Sequence, residues 1–349
     1  MRAVTVPFFI SHQGCPHICV FCDQRTISGS DGALPDSGQI LSTIDQWRET
    51  AGGRPLEVAF FGGTFTALPH DIQASLLEPL QKLLEDRIVQ SIRLSTRPDY
   101  IDSDRVVWLA GMGVTTIELG VQSMDDAVLA ASGRGHSGAD SLYALNCIKN
   151  AGLTAGAQLM PGLPMDTPIS SLDSLERVIS AGADFLRIYP TVVLSGTELE
   201  RKYLSGEFIP LTLDRGVALC AILLQRSMQA GIPVIRTGLQ ADSGLNSANI
   251  VAGCWHPAFG QLVRSRMYSD LIDQAVAPDE YVTLHCHSTR ISDLLGMKKY
   301  NLRRQAERGV VMQVLSDPDL EREELRVTVK NSSKIYSIIT DLHYSIHEV

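Results

Sequence analysis

Short apolar segments alternate with longer amphipathic segments over the first two thirds of the chain. The apolar segments are typical of buried parallel strands, and they cover residues 4–10, 56–61, 91–96, 115–121, 154–160, 185–192 and 233–239. The segments between them have helical periodicity, over residues 37–50, 69–85, 102–111, 139–151, 169–181 and 213–230. This repetition predicts βαβ units and a parallel sheet. A partial or complete α/β barrel fits it, a doubly wound open sheet competes, and the pattern does not decide between them.

The rhythm changes after Gln240. Residues 241–253 are rich in Ser, Asn and Gly and predict a loop, residues 257–272 predict a helix, and short strand-like and helical pieces follow. We therefore expect an α/β core over residues 1–240, a loop and helix over 241–276 that close it, and a small C-terminal α+β subdomain over 277–349.

Composition narrows the classes of partner. The 349 residues carry a formal net charge of −9, which argues against a broad electrostatic grip on nucleic acid but leaves room for a local basic patch. Lys298, Lys299, Arg303 and Arg304 flank Tyr300 in one such patch, as an RNA-contacting edge would. Apolar runs of about 18 residues do not occur, and the start has no signal-peptide layout, so we expect a cytoplasmic protein without a membrane anchor.

Three of the seven cysteines, Cys15, Cys19 and Cys22, lie in one loop directly after the first predicted strand. Their clustering indicates metal binding rather than disulfides, and barrel active sites are built at this end of the strands. A four-iron cluster needs four ligands, so three thiolates leave one iron open for a small molecule. A zinc site completed by His12 or His17 is the alternative that the spacing leaves open.

Gly62 and Gly63 end the second predicted strand, and Thr64 follows them. Two adjacent glycines let the backbone approach a ligand closely, although a lone pair is usually just a tight turn. Because neighbouring parallel strands end at the same edge, we expect this turn beside the cysteine loop.

The C-x3-C-x-aromatic-C motif followed by a Gly-Gly-Thr strand end resembles the radical S-adenosylmethionine (radical SAM) superfamily. Residues 94–100, 117–123, 133–136 and 158–164 resemble the branch that contains the Elongator catalytic subunit and the oxygen-independent coproporphyrinogen oxidases. The Arg187-Ile188-Tyr189-Pro190-Thr191 segment points to the Elongator side. The resemblance covers about residues 4–270 and implies a partial (β/α)6-type TIM barrel.

The resemblance also implies site residues. The three cysteines would ligate a 4Fe-4S cluster whose open iron binds the methionine moiety of S-adenosylmethionine. Cofactor contacts would come from the strand ends, namely Gly62, Gly63, Thr64, Ser95, Gln122, Arg134 and Gln158. Arg134 suits the cofactor carboxylate, since a guanidinium pairs bidentately with it. Departures occur at Ser95, where the coproporphyrinogen oxidases carry an acidic residue, and at Phe9, where they carry tyrosine.

Glu118 is predicted to be catalytic. It lies four residues before Gln122 on one predicted strand, so both side chains point to the same face. If that face is the barrel interior, the glutamate is buried, and a buried carboxylate needs a partner.

The activity implied by the resemblance is reductive cleavage of S-adenosylmethionine to a 5′-deoxyadenosyl radical, with an electron from a flavodoxin or ferredoxin type donor. The Elongator likeness suggests a tRNA uridine flipped into the barrel mouth. That family adds an acetyltransferase domain, but no Arg-x-x-Gly-x-Gly/Ala loop follows the predicted 257–272 helix. Two alternatives stay open: a radical SAM enzyme acting on a small molecule such as a tetrapyrrole, and a non-catalytic iron–sulfur or zinc protein.

Overall fold

The apolar segments form one parallel sheet of seven strands in the order β1-β2-β3-β4-β5-β6-β8. We describe a computed structural model that covers residues 3–16, 19–24, 33–239, 245 and 248–349. The strands of this sheet are β1 Val4–Phe9, β2 Leu56–Phe61, β3 Val89–Thr96, β4 Val114–Gln122, β5 Thr154–Leu159, β6 Phe185–Ile188 and β8 Val234–Thr237. Each overlaps a predicted strand.

One face of the sheet is apolar and covered by helices. Val58, Phe60, Leu94, Ile117 and Leu186 point to this outer face and have no exposed surface. The helices up to β8 are α1 Ser37–Thr50, α2 His70–Leu77, α3 Gln81–Glu85, α4 Ser103–Gly111, α5 Asp126–Ala131, α6 Gly138–Asn150, α7 Pro168–Ser180, α8 Glu198–Leu204 and α9 Leu213–Gln229. Burial of this face is the main source of fold stability.

The strand order follows the chain without reversal. Right-handed crossovers that all advance in one direction place their helices on one side, whereas a doubly wound sheet must reverse. A contact across the sheet shows that it is also strongly curled: the Arg187 guanidinium of β6 lies 5.7 Å from the Phe61 ring of β2. Four flat strand spacings would separate these strands by about 19 Å. The expected partial barrel is confirmed, and the doubly wound alternative is wrong.

Proline explains two differences from the predicted elements. The helix predicted over 69–85 is interrupted by a 3-10 turn, Glu78–Leu80, between α2 and α3, because Pro79 has no N–H to continue the helix. The strand predicted over 185–192 ends at Ile188, before Pro190. The chain then forms a separate strand, β7 Val192–Leu194.

The segment predicted as a loop over 241–253 contains a strand, β9 Ile250–Gly253, which pairs antiparallel with β7. β9 pairs with β7, which is distant in sequence and was not predicted as a separate strand. Local composition therefore gave no signal for β9. The predicted boundary at residues 240–241 lies outside the described residues. The helix predicted over 257–272 is observed as α10 Phe259–Ala275.

The C-terminal part is a second, four-stranded sheet in the order β11-β10-β12-β13. Its elements are β10 Tyr281–Cys286, α11 Ile291–Leu295, α12 Tyr300–Glu307, β11 Val311–Ser316, β12 Glu324–Val329 and β13 Ser332–Ser337. Buried Gln225 of α9 donates to the carbonyl oxygens of Ile338 (3.0 Å) and Leu342 (2.6 Å), which ties this part to the core. No helix within the described residues is both long and apolar enough to cross a bilayer.

Candidate active site

The cysteine loop and the glycine turn meet at the carboxyl ends of β1 and β2. The Ile10 amide donates to the Phe61 carbonyl (2.9 Å), which extends the β1–β2 ladder beyond the strands. The Thr64 amide donates to the Gln13 carbonyl (2.8 Å). The Cys15 Sγ lies 3.4 Å from the Thr64 Oγ1. The structure thus brings the first cysteine onto the predicted Gly-Gly-Thr turn.

Gln24 links the two loops, and sequence reasoning missed it. Its side-chain oxygen accepts from the amides of His12 (2.7 Å) and Gly63 (2.6 Å). The backbone amide of Gln24 donates to His12 Nε2 (3.0 Å). His12 is one of the two histidines considered as a zinc ligand, and this ring nitrogen is therefore already hydrogen-bonded. The other histidine considered for zinc, His17, lies outside the described residues.

The turn needs glycine at Gly63. Its φ is +58°, and a Cβ there would collide with the carbonyl oxygens of Ile10 and Gln13. Gly14 is equally constrained, because a Cβ would meet the Thr64 carbonyl oxygen. Only glycine at these two positions allows the two loops to pack this closely.

The second half of the cysteine loop lies on a small apolar cluster. Cys19 and Phe21 pack there with residues that are distant in sequence, among them Val128, Leu163 and Leu199. The Val20 amide donates to the Ser132 carbonyl (3.1 Å), and its carbonyl accepts from the Leu199 amide (2.7 Å). The loop backbone is therefore fixed by elements far away in sequence.

The three thiols are close enough to influence one another. Burial, followed by the nearby Cys19 and Cys15, raises the pKa of Cys22 to about 12. Burial also raises the pKa of Cys15. Metal ligation requires thiolates, so a bound metal would displace these protons. Among the described residues no three His, Cys, Asp or Glu side chains form a ready single-ion site.

Arg134 reaches the cysteine loop from the segment after β4. Its Nη1 donates to Cys19 Sγ (3.3 Å) and its Nη2 donates to the Gly120 carbonyl. Buried Arg97 donates to the Arg134 carbonyl and is itself held by two 2.9 Å hydrogen bonds to Asp99. The buried Arg134 Nε has no hydrogen-bond partner within the described part of the chain. Arg97 was not singled out from the sequence.

The two predicted glutamines meet each other. Gln158 Nε2 donates to Gln122 Oε1 (3.1 Å), and Gln122 has a positive φ of +70°. A Cβ on Gly120 would lie 2.9 Å from Gln122 Nε2 and 3.3 Å from Arg134 Nη2, so glycine leaves space for both. Ser95 is half-buried on the same face.

Glu118 points into the barrel, as predicted, but its carboxylate is engaged. Arg93 Nη1 donates to its Oε1 (2.8 Å), and Arg187 donates to both oxygens (2.5 and 3.1 Å). Arg93 also binds Glu57 through two 3.2 Å hydrogen bonds, and Arg187 donates to the Tyr189 hydroxyl (3.0 Å). This network spans β2 to β6 and forms a floor below the strand ends.

The profile of the radical SAM superfamily matches residues 9–178, and that of the radical SAM C-terminal domain matches residues 183–269. The chain belongs to the radical SAM superfamily. The resemblance predicted from its motifs is thus confirmed, and the superfamily is one of enzymes that use a 4Fe-4S cluster and S-adenosylmethionine.

Individual relatives point to one branch of the radical SAM superfamily. The chain is 30% identical over 248 residues to the tRNA uridine(34) acetyltransferase of Methanocaldococcus infernus, covering 58% of this chain and 46% of that protein. It is 26% identical over 255 residues to Elongator complex protein 3 of Saccharomyces cerevisiae, covering 60% and 46%. The chain spans about half the length of these curated relatives. The solved Methanocaldococcus infernus Elp3 is 24% identical, with a TM-score of 0.60 over 76% of this chain and 62% of that one.

The mouth of this radical SAM barrel fits the cofactors of the superfamily on its own chemistry. Its donors are three thiols, the ligand type that iron–sulfur clusters take. The Gly63 turn has no room for a side chain, and it lies beside Cys15, whose Sγ is 3.4 Å from the Thr64 Oγ1. The unpartnered Arg134 Nε leaves a buried donor beside Cys19 that a carboxylate would satisfy.

Proposed function

We propose that this radical SAM enzyme reductively cleaves S-adenosylmethionine at a cluster held by Cys15, Cys19 and Cys22, and that it modifies tRNA. The observation that carries the proposal is the position of the three thiols. They lie against a turn that tolerates only glycine and beside a guanidinium bonded to the Cys19 sulfur. A structural zinc site requires neither the glycine turn nor the guanidinium.

Each residue has a role in this proposal. Gly62, Gly63 and Thr64 would present backbone groups to the methionine amine, and Arg134 would bind its carboxylate. Ser95, Gln122 and Gln158 would contact the ribose or the methionine portion. When bound, the cluster and cofactor supply a 5′-deoxyadenosyl radical for hydrogen abstraction, while the protein orients the groups and excludes water.

We assign Glu118 a positioning role. Its oxygens hold Arg93 and Arg187, so the carboxylate fixes the barrel floor rather than facing a substrate. The floor lies below the barrel mouth, where the proposed cofactor contacts are.

The proposed substrate is a uridine of tRNA, and the proposed electron source is a flavodoxin or ferredoxin type protein. The support for tRNA is that the Methanocaldococcus infernus relative is a tRNA uridine(34) acetyltransferase, together with the local basic patch at Lys298, Lys299 and Arg303.

Anaerobic reconstitution tests the chemistry. We expect iron and sulfide to bind, a reduced-cluster EPR signal, and 5′-deoxyadenosine detectable by mass spectrometry after addition of dithionite and S-adenosylmethionine. Cys15→Ala, Cys19→Ala and Cys22→Ala should each abolish the product. Cys147→Ala is the matched control, because this buried thiol lies in the outer core. Tight binding of one zinc without 5′-deoxyadenosine would contradict the proposal.

The substrate is tested separately. Nucleosides from tRNA of a strain lacking the gene should lose one modified uridine, as read by mass spectrometry, and the wild-type gene should restore it. A gene carrying Cys22→Ala should not. An unchanged nucleoside profile would exclude tRNA and favour a small molecule.

A further inference from the structure

The charges on the concave face of the sheet are almost balanced by internal pairing. Arg93 binds Glu57 and Glu118, and Arg187 binds Glu118, so two arginines and two glutamates satisfy one another. These four side chains are between 6% and 18% exposed. A ligand in the barrel gains little from them, since both partners of each pair are already engaged.

Arg236 is the exception. It pairs with Arg187 of β6 just after a register shift in the ladder, and residues paired side by side in a sheet point to the same face, here the concave one. Arg236 is half-buried, and its side chain makes no ion pair or hydrogen bond with the described residues. A half-shielded guanidinium without a counter-ion favours an anionic ligand, and its fork suits phosphate.

The opposite edge of the sheet carries an exposed aromatic ring. Phe9 ends β1 on the concave face and is 41% exposed, although it pairs with Phe61 at a ring-centroid distance of 6.2 Å. Its neighbours on the outer face, Phe8 and Ile10, are 7% and 0% exposed. Exposed aromatic rings beside a cationic groove are the usual platforms for unpaired bases.

These two residues flank the same opening. Within the described sheet β1 pairs only with β2 and β8 only with β6, so the curled sheet has a lateral gap between its edge strands. An aromatic ring lies on the β1 side, and a guanidinium without a partner among the described residues lies on the β8 side. A flipped nucleotide offers a flat base and a phosphate, which match these two groups.

We infer that the β1–β8 opening is the entry site for one nucleotide of an RNA strand, with its base stacked on Phe9 and its phosphate bound by Arg236. This inference rests on the proposed tRNA substrate. Such a site would allow a chain with a net charge of −9 to bind RNA, because recognition needs only a local contact.

The test uses the anaerobically reconstituted enzyme with S-adenosylmethionine bound. Binding of a fluorescein-labelled anticodon stem–loop RNA with a uridine in its loop is measured by anisotropy over a series of salt concentrations. Arg236→Ala should weaken binding and lower the slope of log Kd against log salt by about 1, because one phosphate contact is lost. Phe9→Ala should weaken binding on the order of tenfold with the slope unchanged, because stacking involves no counterion release.

Conservative variants and matched controls complete the design. Arg236→Lys should keep the salt slope, and Phe9→Trp should keep the affinity. Arg226→Ala and Tyr143→Ala remove the same residue types from exposed positions on the outer helices α9 and α6 and should change nothing. Thermal unfolding of each variant verifies folding, and Phe9→Leu replaces Phe9→Ala if the latter unfolds.

Failure of this inference is distinguishable from failure of the proposed function. If wild-type enzyme binds the RNA but Arg236→Ala and Phe9→Ala bind it equally well, the entry site is wrong and the tRNA substrate stands. If Phe9→Ala lowers affinity for S-adenosylmethionine instead, Phe9 is a cofactor contact and the entry site is again wrong. If wild-type enzyme forms 5′-deoxyadenosine but binds no RNA, both the tRNA substrate and the entry site are overturned.

Discussion

The two faces of the seven-stranded sheet differ sharply although they alternate residue by residue. On the outer face Val58 and Phe60 have no exposed surface. On the inner face of the same strand Glu57 forms an ion pair and Phe61 is half-buried. The alternation of side chains along a strand therefore separates stability from chemistry within one element.

The energetics of the two faces differ for the same reason. Apolar burial on the outer face contributes roughly 25 cal/mol for each Å² removed from water. The inner ion pairs must first lose their hydration, so their net contribution is small while the loss of one partner is costly. Four substitutions, from the largest expected effect to the smallest, test this contrast.

Phe60→Ala should be the most damaging. Phe60 is fully buried and packs against Phe65 (5.2 Å) and Phe8 (5.6 Å), so its removal leaves a cavity. We expect a loss of about 4 kcal/mol in the free energy of unfolding, measured by urea denaturation. Phe9→Ala on the inner face should lose less than half as much, and equal losses would break the contrast.

Glu118→Ala should rank second. It leaves Arg93 and Arg187 without their shared carboxylate in a site where Glu118 is 6% exposed. We expect about 3 kcal/mol of destabilisation in the same urea assay. Glu118→Gln keeps a hydrogen-bond acceptor and should lose less stability. If Glu118→Ala were as stable as wild type, leaving Arg93 and Arg187 without their carboxylate would not be costly, and the expected destabilisation would be wrong.

Gly63→Ala should follow at about 2 kcal/mol, because a positive φ and a collision with backbone oxygens act together. Gly53→Ala is the matched control, since Gly53 has a φ of +75° but open space around it. It should cost about 1 kcal/mol from the backbone conformation alone. Only Gly63→Ala should also reduce iron content after reconstitution, and equal iron in the two variants would argue against the turn supporting the cysteine loop.

The smallest effect, taken per pH unit, is a pH dependence of stability from His136. Burial, then the charges of Arg134 and Arg97, lower its pKa from 6.5 to about 3. The unfolded chain therefore binds a proton that the folded chain does not, so this contribution is complete above pH 6.5 and is lost as pH falls toward 3. We expect a loss of about 1 kcal/mol per pH unit between pH 6 and pH 4. His136→Gln should flatten this slope in urea denaturation, and an unchanged slope would contradict the assignment.

The sequence was sufficient for the parts that depend on local pattern. Apolar runs predicted all seven strands of the sheet, and the cysteine spacing with the glycine pair predicted the family. Local chemistry also explains the corrections, since Pro79 and Pro190 ended elements that periodicity alone would continue.

Long-range pairing was not predictable from the same pattern. Glu118 was predicted to need a partner, but its partners lie 25 and 69 residues away, and only the curl of the sheet brings Arg187 within reach. Gln24 and Arg97 act by bridging loops that are distant in sequence, with Gln24 reaching Gly63 across 39 residues. No periodicity marks such residues, because their role exists only after the loops have met.

The position of β1 has a further consequence for where the sheet opens first. Within the described sheet this strand carries the cysteine loop yet has a hydrogen-bonded neighbour on one side only. Its amides therefore depend on the β2 ladder and on the Gln24 and Thr64 anchors at its end. Loss of those anchors would expose β1 to hydrogen exchange and proteolytic cleavage before any central strand.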